Sequence, residues 1–140
     1  MGDLFNDAVH PALNWYAVIV AGIAGFMVGG IWYSKLGFAS AWMKLTGITE
    51  ADTRKGDAGR LMGMAALLTI LIAYNIARLM LRGGGWEAGA KVGVYVGAAI
   101  VCANGVNFLF ERKPFQLWLI HSGHQLLSSV LIGAILGAWR

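Results

Sequence analysis

Seven polar side chains carry the chemistry that this sequence can offer. Asn104, Asn107 and Glu111 recur at spacings of three and four, and so do His121, His124, Gln125 and Ser128. At helical pitch each set falls on one stripe of a helix. Imidazoles gain and lose protons near neutral pH and ligate metals, while amides and hydroxyls hydrogen-bond. Three chemistries are therefore open: hydrogen bonding between helices, a proton or ion route with His121 and His124 titrating, and metal binding. For the last, two histidines three apart can share an ion, yet the usual third and fourth ligands are not evident. Other constellations fail. The run Gly84-Gly85-Trp86-Glu87-Ala88-Gly89-Ala90-Lys91 approaches a phosphate-binding loop, but Ala90 stands where lysine must follow directly, and no strand precedes it. Ser122 lies between the histidines with no carboxylate beside it in sequence. No catalytic residue, cofactor or metal is assigned.

The elements that must position these groups are marked by missing charge. No Asp, Glu, Lys or Arg occurs between Asp7 and Lys35, from Leu61 to Ala77, from Val92 to Phe110, or from Pro114 to Trp139. Each gap is close to or above the length of a transmembrane helix, and none shows strand-like alternation. The spans are predicted near 13–33, 61–81, 91–110 and 115–138. The fold class expected is an all-α integral membrane four-helix bundle, a single domain over residues 1–140. Composition agrees: 58% of the 140 residues are apolar and 13% charged, too few charges to cover a soluble domain. Disorder is excluded and a soluble enzyme disfavoured. The acidic N-terminal stretch, with Asp3 and Asp7, is not a basic signal-peptide leader, so Met1 is expected to start the mature protein.

The net charge of +4 is unevenly spread. Lys35, Lys44, Arg54, Lys55 and Arg60 follow the first span, and Arg112 and Lys113 the third. Arg78, Arg82, Lys91 and Arg140 lie towards the other side. The positive-inside rule puts the first and third loops in the cytoplasm and both termini outside. It also accounts for the basic residues without nucleic acid, which is not expected as a partner. Arg78 and Arg82 are read as snorkelling to the outer headgroups, within reach of Asp3 and Asp7. Cys102 is alone and is read as a small packing residue.

Within the first loop, Phe38, Trp42 and Leu45 fall at helical spacing. They predict a short interfacial helix stopped by Gly47, and Thr49 with Asp52 resembles a new cap. Trp32, Trp42, Arg78 and Trp118 are the expected interfacial anchors. Close helix packing is expected at Gly25 and Gly29, along Gly85, Gly89, Gly93 and Gly97, and at Gly133 and Gly137; Gly59 and Gly63 form a further pair. The tight turn Glu111-Arg112-Lys113-Pro114 folds the last two spans into a hairpin. That hairpin sets Asn104 level with His121, so the two polar stripes are expected to face each other inside the protein.

Asn14-Trp15-Tyr16-Ala17-Val18, Gly30-Ile31-Trp32-Tyr33-Ser34, Ala41-Trp42-Met43-Lys44, Leu109-Phe110-Glu111-Arg112-Lys113-Pro114 and the closing Gly133-Ala134-Ile135-Leu136-Gly137-Ala138-Trp139-Arg140 resemble the bacterial domain-of-unknown-function family 1761. Lys35 stands where the family pattern often carries proline. The resemblance implies a four-span bacterial membrane protein and brings no activity. A candidate internal repeat relates Gly29, Lys35, Trp42 and Gly47 to Gly105, Glu111, Trp118 and Gly123 at an offset of 76, giving two parallel two-helix repeats. The first functional reading is an oligomeric channel or transporter-like protein of the inner membrane. The alternative is a structural or regulatory subunit of a membrane complex, with the polar cluster as interhelical glue. The expected partners are the lipid bilayer, further copies of the chain and other membrane subunits.

Overall fold

The computed structural model describes residues 12–82 and 84–139, so Asp3, Asp7 and Arg140 lie outside the described residues. Among the described residues the chain forms six helices and no strand. They are α1 (Trp15–Trp32), α2 (Ala39–Thr46), α3 (Glu50–Thr53), α4 (Ala58–Leu79), α5 (Gly85–Phe110) and α6 (Phe115–Ala138). The four long helices, α1, α4, α5 and α6, are each long and apolar enough to cross a membrane. The chain is a multi-pass membrane protein. Helices α4 and α5 begin three and six residues before the expected spans 61–81 and 91–110. The charge gaps mark only the lipid-facing core, whereas the helices continue through Arg60, Glu87 and Lys91 to wetter levels.

Local signals fix the ends. The Asn14 side chain caps α1 by accepting from the Ala17 N–H at 3.2 Å. Gly47, in the left-handed region at φ 73°, ends α2. Thr49 and Asp52 form a reciprocal capping box around α3. The end of α5 is a Schellman motif: Lys113 N–H donates to the Phe108 carbonyl at 3.1 Å and Arg112 N–H to Leu109 at 3.2 Å. The residue that must turn left-handed there is Arg112, at φ 53°. Glycine usually fills that position, and an L residue there costs about 1–2 kcal/mol.

Helix α6 is the centre of the arrangement. Its two faces hold α5 and α1, each antiparallel to it, and α4 packs on α1 and on α6. The α5–α6 contact is backbone on backbone at one end. A Cβ on Gly89 would lie 2.0 Å from the Gly133 carbonyl oxygen, one on Gly93 2.2 Å from that of Ser129, and one on Gly137 2.3 Å from that of Gly85. Towards the 111–114 turn, Gly97 meets Leu126 and Ser129, and Gly105 meets the Trp118 ring. The expected packing glycines therefore act within one chain. Gly25 and Gly29 meet Ile132, Ser128 and His124 of α6. Gly59 and Gly63 differ, with open space around both.

The apolar core fills the half of the bundle nearest the start of α1. Val18, Ala21, Ala73, Ile76 and Ile132 are essentially inaccessible and join Ala17, Met80 and Leu136 in one cluster. At the other end α2 folds back on α1. Phe38 lies against Trp32 at 4.7 Å between ring centroids, and Trp42 meets Tyr33 edge-on at 6.0 Å. At the candidate repeat's offset of 76, α2 falls on residues 115–122 of α6. Helix α2 stops at Gly47, whereas α6 continues to Ala138.

Gly93→Leu drives a side chain into the α6 backbone and prevents the hairpin from closing, whereas Gly30→Ala, with open space around it, alters stability by no more than about 1 kcal/mol. Thermal unfolding and detergent-extracted particle size read both, and equal, negligible effects would refute the packing argument. In the exposed loop, the Lys55 ammonium and then the Thr49 N–H and hydroxyl hold the Asp52 carboxyl down at about 2, from an ordinary 3.8. Its contribution to α3 is complete above pH 3.8 and is lost as pH falls through about 2. Amide exchange of residues 50–55 should accelerate over that window, and in Asp52→Asn it should be fast at every pH.

Candidate functional site

His121, His124 and Ser128 of α6 point to α1 and its C-cap. Helix α1 and its C-cap offer Gly25, Gly29, Trp32 and Tyr33, spaced so that bare backbone gives way to two aromatic rings at the helix end. Ser128 Oγ donates to the Gly25 carbonyl at 3.1 Å. One turn on, the His124 ring takes the space beside Gly29, where a Cβ would sit 2.9 Å from its Nε2. Tyr33 closes the line. Its hydroxyl shares a hydrogen bond with His121 Nδ1, donating when that nitrogen carries no proton. Its ring meets His124 at 5.4 Å between centroids. Trp32 crosses onto α6, its indole N–H donating to the Ile120 carbonyl at 3.0 Å over the flat spot that Gly123 leaves.

The ladder Tyr33–His121–His124–Ser128 thus climbs from the α2 side into the bundle, with His124 about 15 Å along α6 from Pro114. It stops at Ile132, which is fully buried against Val18, Ala21 and Ile76. Ser122 keeps its hydroxyl buried and without a hydrogen-bond partner among the described residues. No group of three His, Cys, Asp or Glu could hold a metal among the described residues.

The expectation that the two polar stripes meet across the α5–α6 hairpin is not met. Asn104 is half-buried and Gln125 likewise, yet neither side chain makes a hydrogen bond among the described residues. Asn107 is exposed. Glu111 is exposed too and pairs with Lys113 at 2.5 Å. The reason is the packing ridge. Contact with α6 follows residues 89, 93, 97, 101 and 105, a four-residue row that advances around the helix at each step. Asn107, two residues past Gly105, is carried to the opposite face. On that side of the hairpin, the residue that meets His121 is Phe108, at 5.7 Å between centroids.

Two expected anchors also have other duties. The N–H groups of Trp32 and Trp118 donate to carbonyls of neighbouring helices, Trp118 to Val101 at 3.2 Å. Trp42 rests on Tyr33, and Arg78 lies in the last turn of α4, half-buried. Tyr33 is the site residue that polar-stripe reasoning missed. Its signal was its place one turn beyond Gly25 and Gly29, on the face already marked for close approach.

A family profile described as "Protein of unknown function (DUF1761)" matches residues 16–137. The chain belongs to this family. The match spans all four membrane helices, so the ladder between α1 and α6 lies wholly inside the DUF1761 region. No curated protein and no solved structure matches the chain.

Hydrogen bonds between membrane helices contribute ~0.6 kcal/mol on average and at most about 1.7. Tyr33→Phe and Ser128→Ala should each lower stability within that range. Ser128→Ala is the milder, since the Gly25 carbonyl keeps its helical partner while Tyr33→Phe leaves His121 unpaired. A double variant that loses no more than either single one, followed by thermal unfolding in detergent, would contradict two independent fastenings.

Proposed function

We propose that this protein is a non-enzymatic structural or regulatory subunit of the bacterial inner membrane, acting as an oligomer. In this reading residues 34–57 and the 111–114 turn face the cytoplasm and both ends of the chain lie outside. The excess of Lys and Arg on that side supports it. Helix α2 then lies at the cytoplasmic interface, its Phe38 and Trp42 covering the end of α1. The ladder between α1 and α6 acts as interhelical fastening. The observation that carries this is where the ladder ends. Beyond Ser128 the cross-section is filled by Val18, Ala21, Ile76 and Ile132. The open glycines Gly59 and Gly63 give a second copy room to approach α4 closely.

A transport reading is kept by one feature, the contiguity of Tyr33, His121 and His124. Such side chains can pass protons. Any route through them must either leave the chain at Ser128 and run between copies, or open the apolar layer. Liposomes carrying a pH dye separate the readings. The expected result is that vesicles with wild-type protein leak protons no faster than empty ones, while His121→Ala and His124→Ala lower the unfolding temperature. A proton flux that disappears in His124→Ala would overturn the structural reading in favour of transport.

A further inference from the structure

Where α5 and α6 part, the hairpin opens a groove of about 430 Å³ on its surface. The opening follows from the packing. Backbone contact at Gly89 and Gly93 gives way to the Trp118 indole at Gly105, and the bulk of that ring wedges the helices apart. Cys102, Gly105, Val106 and Leu109 form one stripe of α5 along the groove, with Phe115 and Trp118 of α6 opposite. At 1.5 Å per residue it runs about 13 Å from Glu111 to Cys102, from headgroup level into the hydrocarbon.

The mouth of the groove is cationic. Lys113 lines it, its Nζ 5.1 Å from the centre of the Phe108 ring and ion-paired with Glu111. Arg112 stands beside it, exposed, and its guanidinium has no partner among the described residues. Glu111, Arg112 and Lys113 leave the turn with a net positive charge. Arg112 also holds the left-handed position that glycine fills at least strain.

We propose that this groove seats one acyl chain of an anionic phospholipid, with its phosphate held by Arg112 and Lys113. Arginine suits a phosphate through its planar fork of donors, and lysine adds a point charge. The apolar walls match a hydrocarbon chain, and the cations sit at the one end where a phosphate can reach them. The site rests on the chain crossing the membrane and is independent of the role of the α1–α6 ladder.

Cys102, exposed on the groove wall, is a native reporter. The protein is placed in nanodiscs of phosphatidylcholine alone or mixed with phosphatidylglycerol, and labelling of Cys102 by a lipid-soluble maleimide that partitions into the bilayer is followed. Phosphatidylglycerol should slow labelling severalfold, whereas inorganic phosphate added to phosphatidylcholine discs should not. Replacing Arg112 and Lys113 by glutamine should weaken protection about fivefold per charge removed. Val106→Trp fills the groove from its exposed side and should abolish protection with the charges intact. Equal labelling in the two lipids, or protection that survives Val106→Trp, would overturn the proposal. Protection that vanishes when discs hold a single chain would overturn it in favour of a second copy as occupant. Thermal unfolding identifies any variant that misfolds, and the wild-type comparison between lipids stands without the variants.

Discussion

Two helix backbones touch in this protein, and most of its architecture depends on that contact. In lipid, apolar side chains gain nothing by leaving the solvent, so helices associate through close packing and hydrogen bonds. Gly89 against Gly133 and Gly93 against Ser129 let α5 and α6 meet with no side chain between them. A hairpin joined only by the turn 111–114 is thereby held along the half farthest from that turn. Because α5 occupies the glycine face of α6, the face carrying His121, His124 and Ser128 is left for α1. The same register forces the helices apart at Trp118, since a tryptophan cannot lie in the space that two glycines occupy.

Ser128, Trp32 and the Tyr33–His121 pair then follow the rule that buried donors and acceptors must be paired where water is absent, with the Ser122 hydroxyl an exception among the described residues. Ser128 finds a carbonyl on α1 because Gly25 leaves it uncovered. His124 finds room at Gly29, and the indole of Trp32 reaches Ile120 where Gly123 leaves α6 flat. Small residues thus do two things in this bundle. They set the distance between helices, and they expose the backbone groups that polar side chains of the neighbour need.

Much of this was legible in the sequence. The charge gaps located all four spans, because a charged residue in hydrocarbon is costly enough to leave a clear absence. The run Gly85, Gly89, Gly93, Gly97 marked the face of α5, and Gly47 and Thr49 marked the breaks around α2 and α3. The partner of the histidine stripe was not legible. Adjacency in the chain pointed to α5, and a straight helical wheel keeps Asn104, Asn107 and Glu111 on one side. A four-residue packing ridge does not follow that wheel. Over the length of α5 it turns the contact away from Asn107, so crossing geometry, which composition does not encode, decides which polar residues are buried. Tyr33 was overlooked for a related reason: its partner lies 88 residues away on a helix with no sequence link to it.

The bundle is consequently unlike at its two ends. Near the start of α1, isoleucine, valine and alanine from three helices interlock with Met80 and Leu136. Near the end of α1, rings dominate: Trp32, Tyr33, Phe38, Trp42, Phe108, His121 and His124 meet tilted or edge-on. Rings carry hydrogen-bonding tips on apolar bodies, which suits the level where hydrocarbon meets headgroups. They also hold helices farther apart than glycine does. The basic turn Arg112-Lys113 and the folded-back α2 lie at this ring-rich end. The separation of a tight apolar half from an open, aromatic and basic half is thus one consequence of where glycine and the aromatic residues fall along α1, α5 and α6.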